Sequence, residues 1–130
     1  MKKYPVEVYQ NLLFTKGAIK GPQRIFTARL LIDTGSSYTI LPIEALIAAG
    51  YDLTLFKDKN KIRLTTASGF TFAHKIAVQW LHILGIKIEN YPIIAYTLPE
   101  DIYADGILGM DFLSRINAII DIKNGIIQVH

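Results

Sequence analysis

The chain has 130 residues, 51% of them hydrophobic and 19% charged, with a formal net charge of +3. Those values suit one folded domain over residues 1–130 and exclude a disordered chain. There is no cysteine, which excludes disulfides, thiolate catalysis and zinc–thiolate sites.

The basic residues are scattered. Lys57, Lys59, Lys61 and Arg63 alternate along one stretch, a pattern that suits a solvated strand face, and no aromatic-rich signature beside them points to nucleic acid. Met1-Lys2-Lys3 is followed by Tyr4-Pro5-Val6-Glu7 rather than by the apolar run of a signal peptide. No stretch is long and apolar enough to span a membrane. The expected location is therefore the cytoplasm.

Turn signals recur at short intervals, as in a compact β-rich fold. Residues 10–15 read as a strand. Lys16-Gly17 and Lys20-Gly21-Pro22 mark a turn region, and 24–32 reads as the returning strand. That strand ends in the apolar run Leu30-Leu31-Ile32, which suits burial on both faces. Asp33-Thr34-Gly35-Ser36-Ser37 then breaks the pattern, and 38–41 resumes as a short strand.

Pro42 suits a helix start, 43–49 is helical by composition, and Gly50 suits a left-handed stop. Residues 61–66 and 70–80 form the next strand pair, with Ala67-Ser68-Gly69 as the hairpin tip. Ile76, Val78 and Trp80 alternate with Ala77 and Gln79, a period of two. Leu84-Gly85 turns the chain into strands at 86–88 and 91–96. Residues 101–109 carry a second apolar run ending in glycine, and 110–115 form a short helix. Strands at 119–122 and 126–129 flank Asn124-Gly125, the strongest hairpin signal in the chain.

Two of these segments carry chemistry. Taken alone, Asp33-Thr34-Gly35 is compatible with a turn in which Asp accepts backbone N–H bonds and glycine supplies a positive φ. Its context asks for more. The carboxylate emerges at the end of a buried strand, where an unpaired charge is costly. Thr34, Ser36 and Ser37 are small and can satisfy backbone and carboxylate groups, while Gly35 permits close approach. The Ser36 hydroxyl is expected to donate a hydrogen bond to Asp33. The second segment, 104–113, runs Ala-Asp-Gly-Ile-Leu-Gly-Met-Asp-Phe-Leu: two apolar residues, a glycine and a short helix.

The stretch Leu31-Ile32-Asp33-Thr34-Gly35-Ser36-Ser37-Tyr38-Thr39-Ile40-Leu41-Pro42 resembles the catalytic segment of the retropepsin-like aspartic proteases. Residues 104–113 resemble their second motif, and 119–129 their terminal hairpin. Order and spacing agree over nearly the whole chain from Gln10 onward. The resemblance implies a mainly β fold: a closed acid-protease barrel with interlocking loops, a flap hairpin and one or two short helices. The 107–109 strand would support the Asp33 loop. The 61–75 region would be a flap over a bound peptide, with Ala67, Ser68 and Gly69 at its tip. Thr34 would bond across a dimer axis, the Gly35 carbonyl would meet the substrate backbone, and Leu31, Ser37 and Ile107 would line the substrate site.

The chain departs from retroviral members at Met110-Asp111, where they carry Arg then Asn or Asp, and at Ser37-Tyr38, where acidic residues are frequent. No Arg–Asp clasp is available between these regions, and the sequence is more similar to bacterial and cellular relatives. The stretch around 16–23 reads as an insertion that does not map onto the family pattern.

With one Asp-Thr-Gly, the mechanism needs a second carboxylate from a homodimer partner, since water activation takes one ionised and one protonated acid. Asp105, before a glycine in a loop, and Asp111, a helix N-terminal acid, are poor substitutes. The expected activity is an aspartic endopeptidase acting on peptides or proteins, with Asp33 catalytic and Thr34, Gly35 and Ser36 in support. No cofactor is implied. His74, His82 and His130 lack ligand spacing, so no metal site is expected. Two other readings fit parts of the sequence: a silent dimerisation or peptide-binding module of the same fold, and an unrelated small β-barrel for a small molecule or lipid.

Overall fold

A computed structural model describes residues 1–52, 54, 61–66, 69–99 and 103–130, with the side chain of Thr66 left out. The strands are β1 (Lys2–Pro5), β2 (Glu7–Tyr9), β3 (Leu12–Lys20), β4 (Ile25–Ile32), β5 (Ile40–Leu41), β6 (Lys61–Thr66), β7 (Gly69–Ile83), β8 (Ile86–Ala95), β9 (Gly106–Leu108), β10 (Ile119–Asp121) and β11 (Ile126–Val129). The helices are α1 (Ile43–Ala48) and α2 (Met110–Arg115).

The larger sheet runs β2-β3-β4-β9-β5-β8-β7-β6. An extra pairing of β3 with β7 joins Gly17–Lys20 to Trp80–Ile83 and closes six of these strands into a barrel. Strand β6 pairs with the protruding start of β7 as a hairpin. A second sheet, β1-β11-β10, lies outside the barrel. This is the closed β fold with two short helices that the sequence implies.

The barrel closes because its strands alternate. On β4, Ala28, Leu30 and Ile32 point inward, and on β7 Ile76, Val78, Leu81 and Ile83 do so. They meet Phe112 and Leu113 of α2, Leu46 of α1 and Ile127 and Val129 of β11 in one apolar cluster. Each large side chain fully withdrawn from water contributes about 1.5–3 kcal/mol. A smaller cluster of Ile40, Leu64, Ala73 and Ile94 ties the base of the β6–β7 hairpin to β5 and β8.

Several expected boundaries move, each for a local reason. Lys16-Gly17 is no turn: β3 runs through it, because Gly17 marks close packing. A Cβ there would lie 2.6 Å from the Ile83 side chain and 2.9 Å from Leu30. The chain reverses at 21–24, where Gly21 N–H donates to the Arg24 carbonyl at 3.0 Å. The separate strands expected at 86–88 and 91–96 are one strand. Asn90 takes a left-handed φ of +52°, and the pairing steps from Trp80↔Glu89 to Val78↔Tyr91 across it. The register is the same on both sides, so the strand is distorted at this point and does not end.

The terminal hairpin is longer than a two-residue turn. Ile122 leaves the strand and is 75% exposed. Asp121 accepts the Asn124 N–H at 3.0 Å and its side-chain amide at 2.8 Å, and Gly125 takes φ +63°. Strands β1 and β2 fall where the sequence carries no strand signal, and β9 occupies only three residues of the 101–109 run. Gly50, φ +104°, ends α1 as expected.

Candidate active site

Strand β4 delivers Asp33 to the end of the barrel wall. Its last residues pair in parallel with β9, Leu31 opposite Ile107 and Ile32 opposite Leu108. The ladder continues one step further, with Asp33 N–H donating to the Leu108 carbonyl at 3.0 Å. The loop then folds back on its own carboxylate: Gly35 N–H donates to Asp33 Oδ1 at 2.8 Å, and Ser36 N–H to the Asp33 carbonyl at 3.2 Å. A Cβ at position 35 would lie 3.1 Å from Asp33 Oδ1, closer than a side chain ordinarily sits, so glycine lets the amide approach the acid.

The second motif locks this loop from beneath. Met110 N–H donates to the Ser36 carbonyl at 2.8 Å, and Gly109 N–H to Thr39 Oγ1 at 3.3 Å. A Cβ on Gly109 would stand 2.3 Å from the Tyr38 carbonyl oxygen, a backbone atom with nowhere to go. Thr39 is fully buried and donates its hydroxyl to Asp111 Oδ1 at 2.9 Å. The Tyr91 hydroxyl donates to Asp111 Oδ2 at 3.0 Å, and the Tyr91 ring meets Phe112 edge-on. Burial, and next the adjacent Asp111 carboxylate, push the Tyr91 phenol well above its ordinary range.

A groove of about 570 Å³ opens over Asp33. Of the residues expected there, Asp33, Gly35, Ser36, Ser37 and Ile107 line it. Leu31 does not; it is half-buried in the sheet beside Phe14 and Ile107. Thr34 is exposed on the other side of the loop, in a cleft it shares with Met110, Leu113 and Ser114. Gly69 opens β7 with φ +129°, and the tip residues Ala67 and Ser68 lie outside the described residues. The expected bond from Ser36 to Asp33 is not made. The Ser36 hydroxyl instead donates to the Tyr38 carbonyl, two residues on in the same loop, at 2.8 Å.

The remaining lining comes from Tyr38, Ile40, Arg63, Leu64, Thr65, Tyr96, Leu98 and Pro99. Sequence reasoning missed these residues as a lining because the barrel order, with β8 beside β5, assembles them from distant segments. The alternating cations around Arg63 were the one visible signal.

Asp33 is the single carboxylate among the described lining residues. Asp111 is engaged with Thr39 and Tyr91, and Asp105 accepts the Arg29 backbone N–H at 2.8 Å on the outer side of β4. Among the described residues no cluster of ligating side chains could hold a metal ion, and no helix is long and apolar enough to cross a membrane.

A sequence profile of the family described as gag-polyprotein putative aspartyl protease matches residues 17–115. No curated protein sequence matches the chain. Among solved structures, a retropepsin-like aspartic protease from Rickettsia conorii superposes with a TM-score of 0.69 at 18% identity, over 97% of this chain and 88% of that one. That likeness establishes a shared fold. The profile spans both the Asp33 loop and the second motif, and on it the chain belongs to the gag-polyprotein aspartyl protease family.

Proposed function

We propose that the protein is an aspartic endopeptidase whose active site forms when two copies bring their Asp33 side chains together. The observation that carries this is that Asp33 is the single carboxylate among the described residues of the groove, with Asp105 and Asp111 committed elsewhere. Hydrolysis needs one ionised carboxylate to take a proton from water and one protonated carboxyl to polarise the scissile carbonyl. Two such groups in contact share one proton, because both cannot ionise. A twofold axis gives both copies the same surroundings. Gly35 and Ser37 line the groove beside Asp33 and supply backbone groups to an extended peptide, and the β6–β7 hairpin closes over it.

The terminal sheet constrains how the copies meet. Strand β11 is flanked by β1 on one edge and β10 on the other, both from the same chain. A partner is left the outer edges of β1 and β10 and the exposed tip of the Asp33 loop, where Thr34 lies. No Arg–Asp clasp reinforces that contact, so activity should depend on protomer concentration.

Asp33→Asn tests the reading. Turnover of a mixed peptide library is expected to fall by about 10²- to 10⁴-fold, the scale on which an acid–base group acts, with the thermal transition unchanged. Excess Asp33→Asn protein mixed with the parent is expected to inhibit it, because mixed pairs hold one competent carboxylate. Undiminished turnover in the variant overturns the assignment. A parent unaffected by the variant overturns the shared site.

A further inference from the structure

The terminal sheet β1-β11-β10 has two outer edges, and they differ in chemistry. The β1 edge carries Lys2, Lys3 and Pro5, all exposed. Charged side chains and a residue without an N–H keep a strand edge from pairing with another chain. The β10 edge, Ile119–Asp121, has no such guard. Ile119 is 48% exposed, and Ile122, just beyond the strand, 75%. The Asp121 carboxylate is turned back into its own hairpin, where Asn124 donates to it through backbone and side-chain N–H groups.

The edges differ in position as well. Ile120 of β10 shares a cleft of about 350 Å³ with Thr34 of the Asp33 loop and with Met110 and Ser114 of α2. Tyr4 and Pro5 of β1 border another cleft, beside Phe14, Arg29 and Leu84, that includes no residue of the Asp33 loop. A twofold axis that brings two Asp33 side chains together passes close to the loop tip, and so close to β10.

We propose that the second copy docks on the β10 edge, with β10 pairing antiparallel to its own counterpart, so that the two terminal sheets join into one of six strands. The inference rests on the shared-site reading and names the surface that completes the site. The pairing gives the outward N–H and C=O groups of β10 partners. It draws Ile119 and Ile122 out of water and leaves the lysines of β1 at the two far edges.

The test is sedimentation equilibrium of the parent, Ile119→Lys on one edge and Lys2→Glu on the other. Ile119→Lys sets like charges against each other across the axis. It is expected to raise the dimer Kd by at least about tenfold and to lower specific activity at dilution to match. The thermal transition should be retained, because Ile119 belongs to neither apolar cluster. Lys2→Glu should leave Kd within about twofold, as an exposed charge away from the contact does. Because the chain has no cysteine, a nitroxide on Lys3→Cys marks β1 alone. Its separation from the partner's label, read by dipolar electron paramagnetic resonance, is expected to span five strand spacings, about 24 Å. A dimer unmoved by Ile119→Lys, or one with its labels a single spacing apart, overturns the inference and leaves the shared site standing. A parent that stays monomeric at every concentration overturns both.

Discussion

The floor of the groove and the β6–β7 hairpin beside it, its proposed lid, are held in different ways. Beneath Asp33, the loop and the second motif are joined by backbone bonds and by buried polar groups. Thr39, Gly109 and Leu108 are nearly or fully withdrawn from water, and Tyr91 is 3% exposed. Over the groove, β6 and β7 meet as a two-stranded hairpin. Its outer face carries Phe70 and Phe72, 57% and 51% exposed, stacked against Arg63 and Lys61. In the proposed dimer an acid that must meet its twin needs fixed geometry, whereas a hairpin proposed as a lid over varied peptides needs a surface that can be displaced cheaply. Substitutions in the floor should therefore act on stability, and those in the lid on binding.

The sharpest break in that contrast is Gly109→Ala. The new methyl would meet the Tyr38 carbonyl at 2.3 Å and the Ser36 carbonyl at 3.0 Å. Both are backbone atoms of the loop that holds Asp33, so the floor must move. The expected cost is about 3 kcal/mol, at the upper end for overpacking, together with lost turnover. Denaturant unfolding checks the first. A variant as stable as the parent would show that the floor yields, contrary to the contrast drawn above.

A smaller effect tests the buried polar groups of the floor. The folded protein holds the Tyr91 phenol protonated above its ordinary value of 10.0, first through burial and then through Asp111. The unfolded chain releases that proton at the ordinary value. The stabilisation is therefore complete below pH 10 and is lost as pH rises from there toward the folded value. Tyr91→Phe removes the titrating group and also the bond to Asp111, at a cost of about 1–3 kcal/mol near neutrality. Because Tyr51 is shifted the same way by burial, the informative quantity is the stability difference between parent and Tyr91→Phe. That gap is expected to narrow above pH 10. A constant gap through pH 11 would mean that the phenol is not held by the floor.

The parts of this architecture legible in the sequence are those encoded locally. Asp33-Thr34-Gly35 and the run ending at Gly109 are short motifs, and strand alternation declares the inward side chains of β4 and of β7 as far as Val78, after which the phase shifts and Leu81 is buried instead of Trp80. The misjudged places are those where a residue serves a distant neighbour. Gly17 resembles a turn glycine until Ile83 and Leu30 are seen pressing on it. Asn90 resembles a strand end until β7 pairs on both sides of it. Asp111 resembles a helix-start acid, yet it bridges Thr39 and Tyr91, 72 and 20 residues away. The groove lining from Ile40, Tyr96, Leu98 and Pro99 exists only once the barrel has closed. A pattern of period two says which face is buried and nothing about which strand lies alongside.

The smallest stability effect is expected in the lid, and it completes the comparison. Phe70→Ala and Phe72→Ala each remove one exposed ring, the edge-to-face contact between the two at 5.8 Å, and the stacking partner of Arg63 or Lys61. An exposed cation–π contact contributes about 0.5–1 kcal/mol, and neither ring belongs to the apolar clusters. Each variant should therefore unfold within about 1 kcal/mol of the parent. Binding should respond more, because Phe70 stacks on Arg63, in the stretch of β6 that borders the groove. Phe70→Ala is expected to raise KM for peptide substrates while kcat is maintained, since an interaction made equally in ground and transition states acts on KM alone. Phe72→Ala, whose cation does not line the groove, should change KM less. Equal rises for the two variants would mean that the rings act through general hairpin packing. A fall in kcat with KM unchanged would mean that the lid, like the floor, fixes the geometry of the reacting groups.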